Sequence, residues 1–586
     1  MCGIFGFVSN DKRPAAIVLE GLKRLEYRGY DSWGIAVERG QKIIFDKHVG
    51  KIGEAKTSLP NSLIGLGHTR WATHGGVTEK NTHPHFDCDQ KIALVHNGII
   101  ENYDFLKKSM LKKHHFISET DTEVAVHLIE EYAKKYLFSE AIRRAFLKLE
   151  GLNAIIVMDA KSQKLYAVKN GSPLILGFGQ SANYLASDSA SLLAHTNKVY
   201  FLRDGEMAEL SSDQIIIRDI KSNKKIDVKS QKLNWKFEET QKGKYPHFML
   251  KEINDQPKVI KNILANNNRQ LSLLAKVIKK ADSVSLVACG TGAYAALTGT
   301  YIFSKVAKKN ISYAYGSEFG YTVDFLTKKS LVIALSQSGE TIDIVESVQK
   351  AKAKGARVAV LVNVLGSTLY RLADIKLLLN AGPEKAVATT KAFTAKLSNL
   401  ILLAYEYISK LNEGEKLIKQ AVKEIENILK PEYIKKIKTL ADKIHKQKDI
   451  YSIGRGMSYP IALETALKIK EVSYIHAEGF AAGELKHGVI ALIEKGTPCI
   501  AFLPNDETYG ATLAGAMEIK SRGGLIIGIS YKNHEIFDHF VKVSDCGVAT
   551  AIPNVVVTQL LAYYLSVKRG IDPDKPRNLA KSVTVR

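Results

Sequence analysis

The run Met1-Cys2-Gly3-Ile4-Phe5-Gly6 places a thiol at the start of the chain. A small residue after an initiator Met lets an aminopeptidase remove that Met. Cys2 would then carry a thiol and a free α-amine, a nucleophile with its own general base. An α-amine titrates at about 7.7–8.0, so part of it is neutral near pH 7 and accepts a thiol proton. The competing reading is a small buried hydrophobe in a first strand. Two further patterns carry chemistry. Ser336-Gln337-Ser338-Gly339-Glu340-Thr341 follows an apolar run and opens a helix, where hydroxyls and N–H groups can hold phosphate or merely cap the helix. Glu464, Lys468 and Glu471 stand at i, i+4 and i+7 of a helix read over Ile461–Ala477, so they share one face, as a surface ion-pair ladder would.

These residues need elements to position them. Residues 1–235 alternate short strand-like runs (Ile4–Val8, Gly34–Val37, Leu63–Gly67, Ile92–Val95, Ala154–Met158, Leu165–Val168) with helical stretches near Ala15–Leu25, Asp121–Lys135 and Ala141–Leu149. The pattern predicts an α+β layered domain with a mainly antiparallel sheet. Residues 236–250 are polar and read as a linker. Beyond them, apolar strands end in Gly/Ser turns and lead into helices. Val284–Ala288 leads into Cys289-Gly290-Thr291-Gly292, Leu331–Leu335 into Ser336, and Val358–Val362 into Asn363. A weaker second copy runs from Ile450–Ile453 and Gly454-Arg455-Gly456 through Cys499–Leu503 and Leu525–Ile529. The expectation is two tandem α/β doubly wound domains, 251–425 and 430–570, with a tail at 571–586.

Composition narrows the class. At 586 residues the chain needs several cores, and 45% hydrophobic with 24% charged residues is a soluble balance. Five scattered cysteines without a CxxC pair point to a reducing compartment and no structural zinc. Histidines 68, 74, 83, 85 and 96 match no zinc spacing, and no metal is expected. The net charge of +23 is spread over Lys/Glu-mixed helices such as Glu413–Lys448, a solvated surface rather than a nucleic-acid arm. The stretch Val555–Val567 reads as too short to span a bilayer, and no leader is read, so a cytoplasmic protein without membrane partners is expected.

Islands in the first half carry a resemblance. Tyr27-Arg28-Gly29-Tyr30-Asp31-Ser32, His68-Thr69-Arg70-Trp71-Ala72-Thr73-His74-Gly75, His96-Asn97-Gly98 and Glu119-Thr120-Asp121-Thr122-Glu123, with Cys2, resemble the class II glutamine amidotransferases. The resemblance implies an N-terminal-nucleophile glutaminase fold, layered αββα, with Cys2 as nucleophile and Asn97 and Gly98 as oxyanion hole. It places glutamine against Arg70, Trp71, Thr73, His74 and Asp121. Arg70 would offer its fork to the α-carboxylate, Asp121 would face the α-ammonium, and Trp71 would close over the pocket.

The second half resembles the sugar-isomerase (SIS) domains. This rests on Cys289-Gly290-Thr291, Ser336–Thr341 and Val387-Ala388-Thr389-Thr390-Lys391. Adding Glu471, Gly483-Glu484-Leu485-Lys486-His487-Gly488 and the terminal run Arg577–Val585, the whole chain is similar to the glutamine-dependent phosphosugar aminotransferases. That family implies fructose 6-phosphate and glutamine as substrates, glucosamine 6-phosphate as product and no cofactor. It implies a phosphosugar site of Thr291, Ser336, Gln337, Ser338, Thr341, Val387, Thr389, Glu464, Lys468 and Ala580. Lys581 forms the imine, Glu471 moves the proton and His487 opens the ring from the neighbouring subunit of a homodimer. Lys468 is the cation expected to lower the Lys581 pKa, and ammonia is expected to pass along a dry route gated by Trp71. Two positions depart from the pattern, Gly292 where Ser is common and Trp33 where a small residue is expected. Another phosphosugar as substrate, a non-catalytic phosphosugar sensor and an amidophosphoribosyltransferase are the alternatives.

Overall fold

The computed structural model describes residues 2–583 except 234, 236 and 267. Met1, Lys236 at the head of the expected linker, and Thr584 and Val585 of the terminal run lie outside the described residues. The chain divides into two compact units, residues 1–241 with 582–586, and 242–581.

The first unit holds two sheets, antiparallel throughout. One orders strands Gln231–Lys232, Lys198–Phe201, Ile175–Phe178, Ala182–Ala186, Gly3–Arg13, Ser62–Arg70, Ser32–Arg39 and Lys42–Val49. The other carries His85–Phe86, Ile92–Gly98, Asn153–Asp159, Lys164–Asn170 and Glu206–Leu210 in that order. Alternation supplies each sheet with two apolar faces. Ile4, Ile64 and Leu66 meet Val95, Ile156 and Leu165 between the sheets. Phe5, Phe7 and Ile35 on the opposite face cover Val18 and Leu22 of helix Ala16–Lys23. Leu94, Ile155 and Val157 cover Val124 and Leu128 of helix Thr122–Ala133. The result is the αββα stack that an alternating pattern with buried outer faces demands.

The second unit contains two five-stranded parallel sheets of identical strand order. The first runs Ser312–Tyr315, Ser283–Ala288, Ser330–Ser336, Arg357–Val362, Ile375–Leu378. The second runs His476–Ala481, Asp449–Gly454, Pro498–Leu503, Leu525–Ser530, His539–Lys542. In each, the chain order reverses between the first and third strands in sequence, the switch point where open α/β sheets bind ligands. One hydrophobic core joins residues of both sheets, from Met249 and Leu286 to Ile500 and Leu565.

Three elements differ from the sequence reading. The expected linker contains a 3-10 turn, Phe237–Thr240, and the first residues of helix Phe248–Asn266. The helix read to Ala477 is Ser458–Ser473, because Tyr474 turns left-handed at φ 56° and the chain enters strand His476–Ala481. The apolar stretch at 555–567 belongs to a helical segment, Gly547–Lys568, that is long and apolar enough to cross a membrane. Nearly all of its most apolar window is buried inside the unit, as a core helix must be.

Candidate functional site

In the first unit, Cys2 stands at the entry to the central strand Gly3–Arg13, half-buried. The Trp71 N–H donates to Cys2 Sγ at 3.2 Å. Burial of the sulfur pushes its pKa up, while the Trp71 N–H and the Arg70 and Arg28 charges pull it down. The Cys2 carbonyl accepts from Asn97 Nδ2 at 3.1 Å and from Arg28 Nε at 3.2 Å. Asn97 and Gly98 end the strand Ile92–Gly98. At Gly98 φ is 141°, and a Cβ there would lie 2.2 Å from the Leu152 carbonyl, so no other residue fits.

The remaining islands lock one another. Asp31 Oδ2 accepts from Ala72 N at 2.9 Å, and Asp121 Oδ2 from Ile100 N at 2.8 Å. Asp121 is buried at the start of helix Thr122–Ala133. The Arg70 guanidinium is already engaged. Its fork is not held open but bonds the carbonyls of His74, Gly75 and Gly76, bracing the loop after its strand. Trp71 is half-buried, edge-on to Tyr30 at 5.6 Å; Thr73 is exposed and His74 packs edge-on to Tyr103. Trp33 belongs to the core under helix Ala16–Lys23, stacked on His48 at 4.5 Å. His68, His83, His85 and His96 are buried and hydrogen-bonded, to the His96 carbonyl, Thr122, Thr120 and Thr122 with Asn153 respectively.

In the second unit, the loops after Ser283–Ala288 and Ser330–Ser336 lie at the switch point of the first parallel sheet. Thr291 opens helix Thr291–Ile302 and donates to Glu464 Oε1 at 3.3 Å. Ser336 Oγ accepts from Gly339 N at 2.9 Å, and Ser338 Oγ from Glu340 N at 3.2 Å. Those hydroxyls therefore shape the loop as well as line it. Gln337 offers its carbonyl to Asn363 N, and the Thr341 hydroxyl, 3.5 Å from Ser336 Oγ, leaves helix Ile342–Ala353 uncapped. A Cβ at Gly339, φ 69°, would fall 2.0 Å from Ser367 Oγ. The departure at Gly292 has a physical reason. A Cβ there would sit 3.1 Å from Ala288 Cβ and 3.3 Å from the Leu335 carbonyl.

The Glu464–Lys468–Glu471 face is no surface ladder. Lys468 and Glu464 side chains are 1% and 0% exposed. Lys468 Nζ reaches Glu464 at 3.6 Å and makes a shorter bond to Glu471. Burial raises Glu464 to about 7, against the pull of Lys468. Lys581 donates to Glu384 Oε2 at 2.6 Å and lies 3.4 Å from Thr389 Oγ1. Lys468 is thus spoken for by two carboxylates, and the group that addresses Lys581 is Glu384, not the expected Lys468. Glu384 also accepts from Thr390 N and Ala392 N at the start of helix Lys391–Tyr407. Burial works against its charge, yet Lys581 and those N–H groups hold its carboxyl below the usual range. Asp574 pins the tail by accepting from Phe248 N and Met249 N at 2.7 Å, and its carbonyl accepts from Val387 N. Ala580 is half-buried beside Lys581. His487 is exposed in the turn Glu484–His487, and among the described residues it bonds neither Glu471 nor Lys581.

The comparisons follow this division. A glutamine amidotransferase domain model matches residues 68–194, and a SIS domain model matches 277–405 and 443–569. A protein of Thermococcus kodakarensis named glutamine–fructose-6-phosphate aminotransferase (isomerizing) is 44% identical, with all of both chains covered. One of Clostridium perfringens with the same name is 39% identical over the full length of both. The solved C-terminal domain of glucosamine-fructose-6-phosphate aminotransferase from Francisella tularensis matches 57% of this chain and 99% of its own, at 34% identity and TM-score 0.53.

The chain belongs to the glutamine–fructose-6-phosphate aminotransferase family. It is an enzyme with an amidotransferase domain followed by two SIS domains. Sequence reasoning missed three residues of this family member's charged cluster. Glu384 stands in an unpatterned loop, Gly382-Pro383-Glu384, and only its place just before the Val387–Lys391 island hinted at it. Lys396 lies inside an apolar helix and is lowered to about 8 by burial. Glu252 is buried, raised by burial and by Glu384, and accepts from Ala386 N. In the amidotransferase half, Arg28 of the Tyr27–Ser32 island donates to the Cys2 carbonyl.

Burial pushes His68 down to about 3 and also lowers His83, His85 and His96. Below pH 6.5 an unfolded chain takes up protons that these rings refuse. Their stability contribution is therefore complete above 6.5 and is lost as pH falls towards the folded values, at about 1.4 kcal/mol per pH unit for each ring. Trp33, Trp71 and Trp235, the chain's three tryptophans, all lie in the first unit. Urea unfolding followed by their fluorescence should show a lower midpoint at about pH 5.5 than at about pH 7.5; equal midpoints contradict this account. In the second unit, Lys468→Met strands Glu464 and should cost about 3–5 kcal/mol in denaturant unfolding. Adding Glu464→Gln should restore part of it, and no recovery would mean that the pair is not the cause.

Proposed function

We propose that this chain hydrolyses glutamine at Cys2 and uses the ammonia to convert fructose 6-phosphate into glucosamine 6-phosphate. The observation that carries the reading is the buried set Lys581–Glu384 and Glu464–Lys468–Glu471 around the Thr291 and Thr389 loops. A phosphate-binding module alone has no use for it.

In the first half-reaction, the Cys2 α-amine takes the thiol proton as Sγ attacks the glutamine amide carbon. Asn97 Nδ2 and the Gly98 N–H stabilise the oxyanion. The proton passes to the leaving nitrogen, ammonia departs, and water cleaves the thioester to glutamate. Asp121 faces the α-ammonium, Arg70 and the loop it braces hold the α-carboxylate, and Thr73, His74 and Trp71 border the site.

In the second, Ser336, Gln337, Ser338, Thr341 and Thr291 hold the phosphosugar, with Val387, Thr389 and Ala580 shaping its far side. His487 of a neighbouring subunit assists ring opening. Lys581 Nζ adds to the C2 carbonyl and water leaves, giving an imine that ammonia then displaces. To attack, Lys581 must shed a proton, and Glu384 fixes the direction of its lone pair while Lys396 stands in the same charged cluster. Glu471, oriented by Lys468, moves a proton from C1 to C2. C1 passes from alcohol to aldehyde as C2 passes from imine to amine, so the oxidation and reduction balance within the sugar and no redox cofactor is required. The work belongs to a reducing, aqueous compartment, the cytoplasm.

With fructose 6-phosphate and glutamine the protein should release aminosugar and glutamate in equal amounts; absence of aminosugar overturns the reading. Cys2→Ala should lose glutamine use by about three orders of magnitude or more. Lys581→Ala should lose aminosugar while sparing glutamine hydrolysis. The shared site is tested by mixing His487→Ala with Lys581→Ala protein. Hybrids of a homodimer regain activity that neither variant has alone, and a mixture that stays inactive argues that each chain uses its own His487.

A further inference from the structure

Apart from the residues assigned above, the first unit gathers a thiol, two imidazoles and a carboxylate around one point. Cys88 follows the short strand His85–Phe86, His114 lies in the loop after helix Tyr103–Met110, and His127 and Glu130 share one face of helix Thr122–Ala133. Their ligand atoms all lie within 4.8 Å of one another. We propose that Cys88, His114, His127 and Glu130 form a structural zinc site in the amidotransferase domain.

Four of the six ligand–ligand edges lie close to those of a tetrahedral site. Metal bonds of about 2.0–2.1 Å to N and O and about 2.3 Å to S give ligand–ligand edges of about 3.3–3.6 Å. Here Cys88 Sγ lies 3.7 Å from His114 Nδ1 and 3.8 Å from His127 Nδ1. Glu130 Oε2 lies 3.1 Å from His114 Nδ1 and 3.0 Å from His127 Nδ1. Both rings turn the same nitrogen inward, and both outer nitrogens face a carboxylate. His114 Nε2 is 3.2 Å from Glu131 Oε2, and His127 Nε2 is 3.6 Å from Glu123 Oε1. The His114–Glu131 hydrogen bond is of the kind that fixes a metal-bound ring and raises its basicity, whereas His127 Nε2 makes no hydrogen bond among the described residues. A hydrogen-bond cluster accounts for less. It asks one oxygen of Glu130 to face two imidazoles and the Cys88 N–H, and leaves the thiol only two long contacts, to the same two ring nitrogens.

Thiolate, imidazole and carboxylate together suit zinc, and four protein ligands leave no open position, so the site is structural. The His114 and His127 side chains are 4% and 1% exposed, while Cys88 is exposed and borders a cavity of about 470 Å³ that also meets His127, an entry route for the ion. Binding releases the Cys88 thiol proton and any proton on the inward nitrogens. The ion would tie the Cys88 and His114 loops to the helix that begins after Asp121. Glu123, behind His127, already accepts from Ile117 N and Ser118 N. Sequence spacing hid the site because its ligands come from three segments, and only His127-x-x-Glu130 is local.

The test uses the full-length protein purified without chelator. Elemental analysis should find one zinc per chain. Cobalt exchanged for it should give intense tetrahedral visible bands and a thiolate-to-cobalt charge-transfer band. Cys88→Ser, at an exposed position, should lose the charge-transfer band, whereas Cys2→Ala should keep it. Glu131→Gln should weaken zinc binding about 10–100-fold. Weak octahedral cobalt bands in the wild type, or a charge-transfer band that survives Cys88→Ser, would overturn the proposal.

Discussion

Two amines in the second unit, Lys468 and Lys581, have side chains 1% and 3% exposed, and the architecture around them is organised by the need to compensate charge out of water. An isolated buried ion costs tens of kcal/mol by Born solvation, about, and even a good pair often does no better than the apolar residues that could replace it. Stability therefore does not explain why Glu252, Glu384, Glu464, Lys391, Lys396 and Lys468 are buried, with half-buried Glu471 and Lys581 beside them, next to a core of apolar side chains. On the proposed reading, the charges are held because the sugar chemistry needs them.

Compensation dictates the surroundings piece by piece. Glu464 needs the Thr291 hydroxyl, which fixes where the first loop of the parallel sheet must end. Glu384 needs the N–H groups at the start of helix Lys391–Tyr407, whose positive end favours an anion. Lys581 needs Glu384, and so the tail must be ordered; Asp574 achieves that by capping helix Phe248–Asn266. A terminal run that composition alone would leave frayed is thereby built into the site.

Legibility in the sequence followed the range of the interactions. Strands in the first unit were visible because alternation is local, as in Ile4–Val8 within Gly3–Arg13. The shared face of Glu464, Lys468 and Glu471 was visible because helix geometry is local. Whether that face was wet or buried was not, since burial depends on elements far along the chain, such as helix Thr291–Ile302, whose Thr291 meets Glu464. Glu384 was invisible for the same reason: its partner lies at the other end of the unit. Arg70 shows the converse: its island marks the residue, but not that its guanidinium also braces the carbonyls of His74, Gly75 and Gly76. Cys88, His114 and His127 escaped because no two of them are near in sequence.

The two halves solve different electrostatic problems. Around Cys2, the named histidines are kept neutral by burial and their hydrogen bonds are used for scaffolding. On the proposed reading, amide cleavage by the thiol generates one oxyanion at a time, and fixed dipoles such as Asn97 and Gly98 would serve it better than mobile charge. The second unit instead holds buried groups that titrate near neutrality, Glu464 at about 7 and Lys396 at about 8. A group poised there gives and takes protons with little driving force lost in either direction. In the proposed reaction Glu471 moves the hydrogen between adjacent sugar carbons, and the poised Glu464 and Lys396 stand behind it in the same charged cluster. On the proposed reading, the buried charges of the second unit are tolerated because pairing them by burial and mutual attraction is what brings their pKa values into that range.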